Sequence, residues 1–283
     1  MNLEKKSVCQ TEYDVLKEVI VCPPTYMEIK EVINETQKHY ARENIDENKA
    51  SKQHKTFVQY LRTQGIHVIE LKADKRFPEQ VFTRDIGYVL GDAILVSKMG
   101  SDIREGEEAY LTEWLNNHHL PYYQVKDDSI EGGDVIINGK DIYIGVSGRT
   151  TIEATKQVQA KLPHMNVIPV PIKDGYLHLD CVFNIISKTE ALIYPDALDK
   201  KEIALLNERF DLIEVTEEEQ FTLGTNVFSI GNKTVISLPV NNQVNETLRK
   251  RGFEVVEIDI SEIIKSGGSF RCCTLPLQRE AKK

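Results

Sequence analysis

The sequence predicts an α/β fold in which five hairpin–helix–strand units close into a ring. Three observations predict it. Pairs of β-rich runs flanking a tight turn recur four times, each pair is followed by a helical segment and a further short strand, and the chain ends supply the halves of a fifth unit. The paired runs occupy residues 86–99, 134–147, 181–195 and 226–239. Gly91-Asp92, Asn138-Gly139 and Gly231-Asn232 tolerate the positive φ that two-residue hairpin turns need. With Asp92, Gly139, Thr189 and Asn232 as markers, the spacings are about 47, 50 and 43 residues, a period that signals internal repeats.

The remaining elements follow in order. Residues 16–24, LKEVIVCPP, read as the second half of a hairpin, with a helix near 50–64 and a strand at 67–71 behind them. The missing first half is CTLPLQ, residues 273–278, with Cys272 ahead of it. Helices are predicted at 105–118, 150–162, 200–210 and 242–252 by apolar residues at three- and four-residue spacing. A short strand follows each, at 122–125, 166–172, 211–215 and 253–260. Pairing the first and last strands hides the sheet edges that would otherwise aggregate. No linker or low-complexity tract interrupts the chain, so a single domain spanning 1–283 is expected.

Composition narrows the partners. Against 35 basic residues stand 44 acidic ones, a formal charge of −9, which disfavours nucleic acid and anionic membranes. No apolar run approaches the roughly 20 residues of a membrane span, and MNLEKKSVCQTEYD has no apolar stretch behind its lysines. A soluble, cytoplasmic protein is expected, with a homo-oligomer a possible assembly. Five cysteines without CxxC spacing argue against a structural zinc site or a redox pair, and reduced thiols are expected.

In a closed ring, equivalent positions of each unit converge on the axis. The position just ahead of each hairpin carries Asp85 (FTRD), Glu131 and Asp134 (IEGGD), His178 and Asp180 (LHLD), Thr225 and Asn226 (LGTN), and Cys272 (GGSFRC). Carboxylates converging on one pocket repel unless a cation lies between them, and a planar guanidinium matches them with its fork of N–H donors. A cysteine thiolate is a strong nucleophile, and His178 could protonate a departing amine and later activate water. Gly267 and Gly268 would let backbone approach a ligand ahead of Cys272.

Each residue also has a plainer reading. EGGD could be a turn whose glycines take positive φ, and Asp85 could pair with Arg84 on the surface. Strand alternation should turn Cys273 away from Cys272. Cys22 and Cys181 read as core residues, and His118-His119 as a structural helix end. Any lid is expected in the polar stretch 30–52.

With FPEQVFTRD (77–85), REGE (104–107), IEGGDV (130–135), YIGVSGRT (143–150), LHLDCVFNII (177–186) and GGSFRCCTLPL (267–277) in order, the chain resembles the guanidino-group-modifying enzymes of the pentein superfamily. These comprise dimethylarginine dimethylaminohydrolases, arginine deiminases and arginine:glycine amidinotransferases. The resemblance implies a five-bladed α/β propeller. It implies Cys272 as nucleophile, His178 as general acid/base, and Glu131 as the carboxylate that orients His178 or binds the guanidinium. Asp85 and Asp180 would bind the guanidinium and Arg149 and Arg104 the substrate carboxylate, with Glu79 also on the substrate side. The implied reaction needs neither metal nor organic cofactor. Cys272 attacks the guanidinium carbon and expels an amine, and water releases a ureido product such as citrulline.

The subfamilies divide over this chain. Its FPEQVF, REGE and GVSGRT segments look like the dimethylaminohydrolases, but TRD and HLD look like the deiminases. A carboxylate at Asp180 would bond an unsubstituted nitrogen and crowd N-methyl groups. DCVFNII and GGSF resemble the amidinotransferases, from which EGGD departs. A hydrolase of a small guanidino substrate, of the arginine or methylarginine type, is therefore expected. An amidinotransferase and a non-catalytic guanidino-binding propeller are the alternatives.

Overall fold

The computed structural model describes residues 8–281. Within them the chain builds five three-stranded sheets of one design, in which an antiparallel hairpin is followed by a helix and a strand parallel to the hairpin's second arm. In chain order the first sheet holds β1 (Val15–Val21) and β2 (His67–Glu70), with α1 (Glu35–Tyr40) and α2 (Glu47–Thr63) between them. The second holds β3 (Gly87–Leu90), β4 (Ala93–Val96), α3 (Glu108–Asn117) and β5 (Tyr123–Gln124). The third runs β6 (Val135–Asn138), β7 (Asp141–Val146), α4 (Ile152–Lys161), β8 (Asn166–Pro171). The fourth runs β9 (Phe183–Ile185), β10 (Glu190–Ile193), α5 (Lys200–Asn207), β11 (Asp211–Glu214). After α6 (Glu217–Phe221), the fifth holds β12 (Phe228–Gly231), β13 (Thr234–Ser237), α7 (Asn242–Lys250) and β14 (Glu254–Glu257). The last strand, β15 (Leu275–Glu280), pairs antiparallel with β1, with Val15 opposite Glu280 and Ile20 opposite Leu275. This is the α/β propeller of five units that the repeat predicted, and its two chain ends complete one blade.

Burial explains why the hairpins read as continuous apolar runs. All eight residues of β3 and β4 are buried, whereas the outer strands β2 and β14 are exposed at both ends. A hairpin covered on both faces has no polar side to display, so period-two alternation disappears. Two of the turns use glycine as expected, with φ 62° at Gly91 and 66° at Gly139. The long helix α2 starts where the Asp46 carboxylate accepts the amides of Asn48 and Lys49. It buries Ala50, His54, Phe57, Val58 and Leu61, and the Phe57 ring meets Phe270 edge-on, close to the Cys272 turn. Each such side chain contributes about 1.5–3 kcal/mol of transfer free energy.

Some expectations require correction. Residues 270–273 form a turn and β15 begins only at Leu275, so strand alternation does not separate Cys272 from Cys273. The stretch 30–52 contains α1 and the start of α2. It is tied down through Lys265 to Glu43, the Asp46 amide to Glu262, and Gln37 to Glu79 and Ser266. At the end of α3, His118 stacks on Trp114 with ring centroids 4.1 Å apart, as its structural reading required. Among the described residues no helix is long and apolar enough to cross a membrane.

Candidate active site

The segments leading into the first strand of each unit meet in one buried cluster. Glu131 precedes a 3-10 turn at Gly132–Asp134 that feeds β6, and His178 precedes the matching turn at Leu179–Cys181 that feeds β9. His178 Nε2 lies 2.7 Å from Glu131 Oε2, and His178 Nδ1 lies 3.6 Å from Asp85 Oδ1. The sulfur of Cys272 stands 3.7 and 3.8 Å from the two Asp180 oxygens. Asp180 joins the halves, since one of its oxygens, a ring nitrogen of His178 and the Cys181 sulfur lie within 4.8 Å of one another. Cys272, His178, Glu131, Asp85 and Asp180 are each no more than 3% exposed.

Local sequence makes this convergence possible. A Cβ at Gly133 would sit 2.7 Å from both Asp85 Oδ1 and His178 Nδ1, and one at Gly132 only 2.1 Å from the Arg84 carbonyl. Neither glycine has a positive φ, so EGGD needs them for close approach and not for a turn. Asp134 accepts the Leu179 amide at 2.8 Å and the Ser147 hydroxyl at 2.7 Å, which fixes the His178 turn against β7. Burial pushes Asp134 up to about 6.

The electrostatics suit an added cation. Burial alone would lower the His178 pKa, but the charge of Asp85 and the hydrogen bond to Glu131 lift it to about 10. Burial alone would raise Glu131, but the hydrogen bond and charge of His178, with Arg104 and Arg149, bring it down to about 2. Burial raises Asp180 despite the Arg271 guanidinium 3.3 Å from its Oδ2. Asp85 Oδ1 has no hydrogen-bond partner. Two sets, His178 with Asp180 and Cys181, and Asp85 with Glu131 and His178, are compact enough for a metal ion. Both depend on His178, which as an imidazolium has no lone pair to give a metal. A cation that brings N–H donors fits the carboxylates better.

Two predicted substrate ligands are committed elsewhere. Arg104 is 2% exposed, with Nη1 on Asp85 Oδ2 at 2.5 Å and Nε and Nη2 on Glu107 Oε2 at 3.2 and 2.8 Å. Its Nη2 also reaches the Glu79 and Phe82 carbonyls, so these bonds all run to groups of the protein interior. Both Glu79 oxygens accept the Ser266 hydroxyl at 2.9 Å and one takes the Gln37 amide, which encloses a carboxyl that burial pushes up to about 7. Asp85 pairs with Arg104 and not with Arg84, and the pair is interior. Replacing Arg104 with methionine should therefore cost about 3–5 kcal/mol, because Asp85 and Glu107 lose their buried counter-charge. Denaturant melts of the two proteins would measure it, and an unchanged midpoint would contradict this reading.

Arg149 is placed differently. Its Nη1 has no hydrogen-bond partner and lies 3.6 Å from Glu131 Oε1, while the side chain lines a cleft of about 530 Å³ together with Asn34, Lys173 and Tyr176. A second cleft of about 280 Å³ lies between 34–36 and 174–177 and ends on Cys181. Neither cleft is lined by Cys272 or Asp180; Arg149 and Cys181 are where they meet the cluster, and Asn34 and Glu35 border both.

Sequence reasoning missed two participants, Cys181 and Arg271, and named a third, Asn226, by its position without a role. Cys181, read as core, is buried but also borders the second cleft and sits 3.6 Å from Asp180. Asn226 receives the Cys272 amide at 3.2 Å and donates to the Asp180 carbonyl at 3.0 Å, which locks the two segments together. Its place ahead of β12 was the available signal. Arg271 carried no signal, because a lone arginine beside a cysteine does not announce that it is buried.

Comparison with known proteins shows the family and the fold. The profile of the family described as N,N dimethylarginine dimethylhydrolase, eukaryotic, matches residues 23–279. An uncharacterized protein of Bacillus subtilis, YkgA, is 52% identical over 98% of this chain and 96% of its own length. The substrate-bound N-terminal domain of ArgZ, an arginine dihydrolase of the ornithine–ammonia cycle in cyanobacteria, is 26% identical, with a TM-score of 0.85 over 93% of this chain and 98% of its own. That domain has also been solved covalently bound to a reaction intermediate. SxtG, an amidinotransferase from Microseira wollei, has a TM-score of 0.83 over 98% of each chain at 16% identity, a likeness of fold alone.

Proposed function

We propose, on the premise that this chain belongs to the N,N dimethylarginine dimethylhydrolase family and is an amidine-hydrolysing enzyme, that it hydrolyses an arginine-type substrate with an unsubstituted guanidinium end. The observation that carries this reading is the pair of carboxylates, Asp85 and Asp180, beside a sulfur 3.7 Å from one of them. Asp180 leaves little room for N-methyl groups between its oxygens and that sulfur. The substrate enters from the larger cleft, where Arg149 takes its carboxylate. The guanidinium then lies between Asp85 and Asp180, its carbon facing Cys272.

The Cys272 thiol gives up its proton to solvent, to be regained when the sulfur departs, and the sulfur forms a bond to that carbon. The carbon–nitrogen bond to the departing amine breaks, and the His178 imidazolium supplies the proton the amine needs. Neutral His178 next takes a proton from water, whose oxygen attacks the same carbon. The sulfur–carbon bond breaks, leaving the ureido product. Hydrogen bonding to Glu131 holds the ring in place through both steps.

Incubation with arginine, N-methylarginine and N,N-dimethylarginine, with and without an amine acceptor, tests this reading. Citrulline from arginine, falling with each methyl group, is the expected result. Preference for the dimethylated substrate would overturn the role given to Asp180. Transfer of the amidino group without ureido product would make the enzyme an amidinotransferase.

A further inference from the structure

Behind the Cys272 turn lies a second constellation that hydrolysis does not use. Three buried guanidinium groups, Arg84, Arg271 and Arg279, gather near the small cavity bordered by Arg84, Tyr88, Glu12, Cys9 and Arg279. The cavity measures about 10 Å³, room for one water-sized particle. We propose that it is a binding site for a small, weakly hydrated monovalent anion of the halide class.

Two polar atoms call for an occupant. Arg84 Nη2 and the Tyr88 hydroxyl have no hydrogen-bond partner, and their residues are 4% and 3% exposed and line the cavity. The remaining Arg84 donors are weakly engaged, with Nε on the Arg271 carbonyl at 3.3 Å and Nη1 3.8 Å from Glu12. Leaving a charged donor unpaired in the interior is costly.

Charge distinguishes an anion from a water molecule. Arg279 spends donors on the Asp14 and Ser229 carbonyls, at 2.7 and 2.9 Å, and these carry no compensating charge. Arg271 is shared between Glu12, at 3.2 Å, and Asp180, at 3.3 Å. Three positive groups thus face two carboxylates, and Asp180 is also the partner of the substrate cation. Burial, then the neighbouring Arg271, push Arg84 down to about 10 against the pull of Glu12 and Asp180. Glu12 is one of those two carboxylates, its Oε1 taken up by Arg271 and the Ile137 amide and its Oε2 turned to Arg84 Nη1 at 3.8 Å, so neither oxygen answers Arg84 Nη2. A water would complete the hydrogen bonds and leave the charge unbalanced. Oxyanions are too large for the space, and the walls of Val89, Leu90, Val135 and Ile137 suit a soft ion.

The site has a route to the nucleophile. The Arg84 amide donates to the Cys272 carbonyl at 3.0 Å, and its side chain holds the carbonyl of Arg271, the next residue. An ion on Arg84 therefore braces that turn from behind.

Thermal melting in sodium bromide and in sodium gluconate at equal ionic strength tests the proposal. Bromide should raise the midpoint along a saturating curve that gluconate does not give. Tyr88→Phe should weaken the apparent bromide affinity about tenfold, the loss of one charge-assisted hydrogen bond. Arg84→Met should abolish the response, and if that variant does not fold, Tyr88→Phe still decides the matter. Crystals soaked in bromide should give an anomalous peak between Arg84 Nη2 and the Tyr88 oxygen. Ordinary water density there at saturating bromide, or an identical bromide response in Tyr88→Phe, would overturn the proposal.

Discussion

Cys272→Ser is expected to lower ureido-product formation on the order of 10³-fold or more while the protein still binds its guanidino substrate. The substitution keeps the size of the side chain and the backbone contact from the Cys272 amide to Asn226, so binding should survive. It removes the sulfur that forms the covalent bond, and a serine hydroxyl, which ionises far less readily than a thiol, is a much weaker nucleophile. A neighbouring thiol makes the experiment more than a formality. Cys181 stands 3.6 Å from Asp180, as near as Cys272 does, and borders a cleft that Cys272 does not. Its hydrogen bond to Cys272 and its burial hold the Cys181 thiol well above the usual range, so it stays protonated and a poor nucleophile. Cys181→Ser should therefore keep activity within about tenfold of the parent, and Cys273→Ser should be tolerated. Mass spectrometry of the trapped adduct reads the answer directly. An adduct on Cys181, or full turnover by Cys272→Ser, would end the assignment.

The two thiols also show where sequence reading stops. Hairpins, helices and their order were legible because burial on both faces writes apolar runs, and glycine writes turns. The position ahead of each hairpin was legible for the same reason, which is how Cys272, His178, Glu131, Asp85 and Asp180 could be selected together. What a residue there bonds to is a matter of distance across blades, on which local pattern is silent. Arg104 and Arg149 look alike in a sequence, yet one is locked between Asp85 and Glu107 and the other opens onto a cleft. The glycines of EGGD looked like turn residues because local reasoning knows only their conformational freedom. Their reason lies in His178 and Asp85, which arrive from other parts of the chain. For Cys273 the reason given, strand alternation, fails because the strand begins two residues later than its neighbours implied.

Glu131→Gln should move the alkaline limb of the rate profile to lower pH by a unit or more, each unit being about 1.36 kcal/mol of lost preference for the imidazolium. In the parent, His178 is held up at about 10, above its ordinary 6.5, so its share of stability is complete below pH 6.5 and is lost as pH rises toward 10. Glu131 is held down at about 2, below its ordinary 4.5, so its share is complete above pH 4.5 and is lost as pH falls toward 2. The pair's contribution to stability is thus complete between pH 4.5 and 6.5, and both groups stay charged in the folded protein well beyond that window. Glu131 Oε1 also accepts the Gly100 amide at 2.8 Å, which fixes how a glutamine must sit. Its carbonyl oxygen keeps Gly100, and its NH₂ turns toward His178 Nε2, where it requires a lone pair. The neutral ring is then favoured and the acid that protonates the departing amine is lost at a lower pH, although Asp85 still opposes the change. The same variant should show a smaller decline of stability between pH 6.5 and 10 than the parent shows in denaturant melts, the remainder being held by Asp85. A purely structural glutamate would give a less stable enzyme with an unmoved alkaline limb, and that outcome would remove Glu131 from the proton transfer.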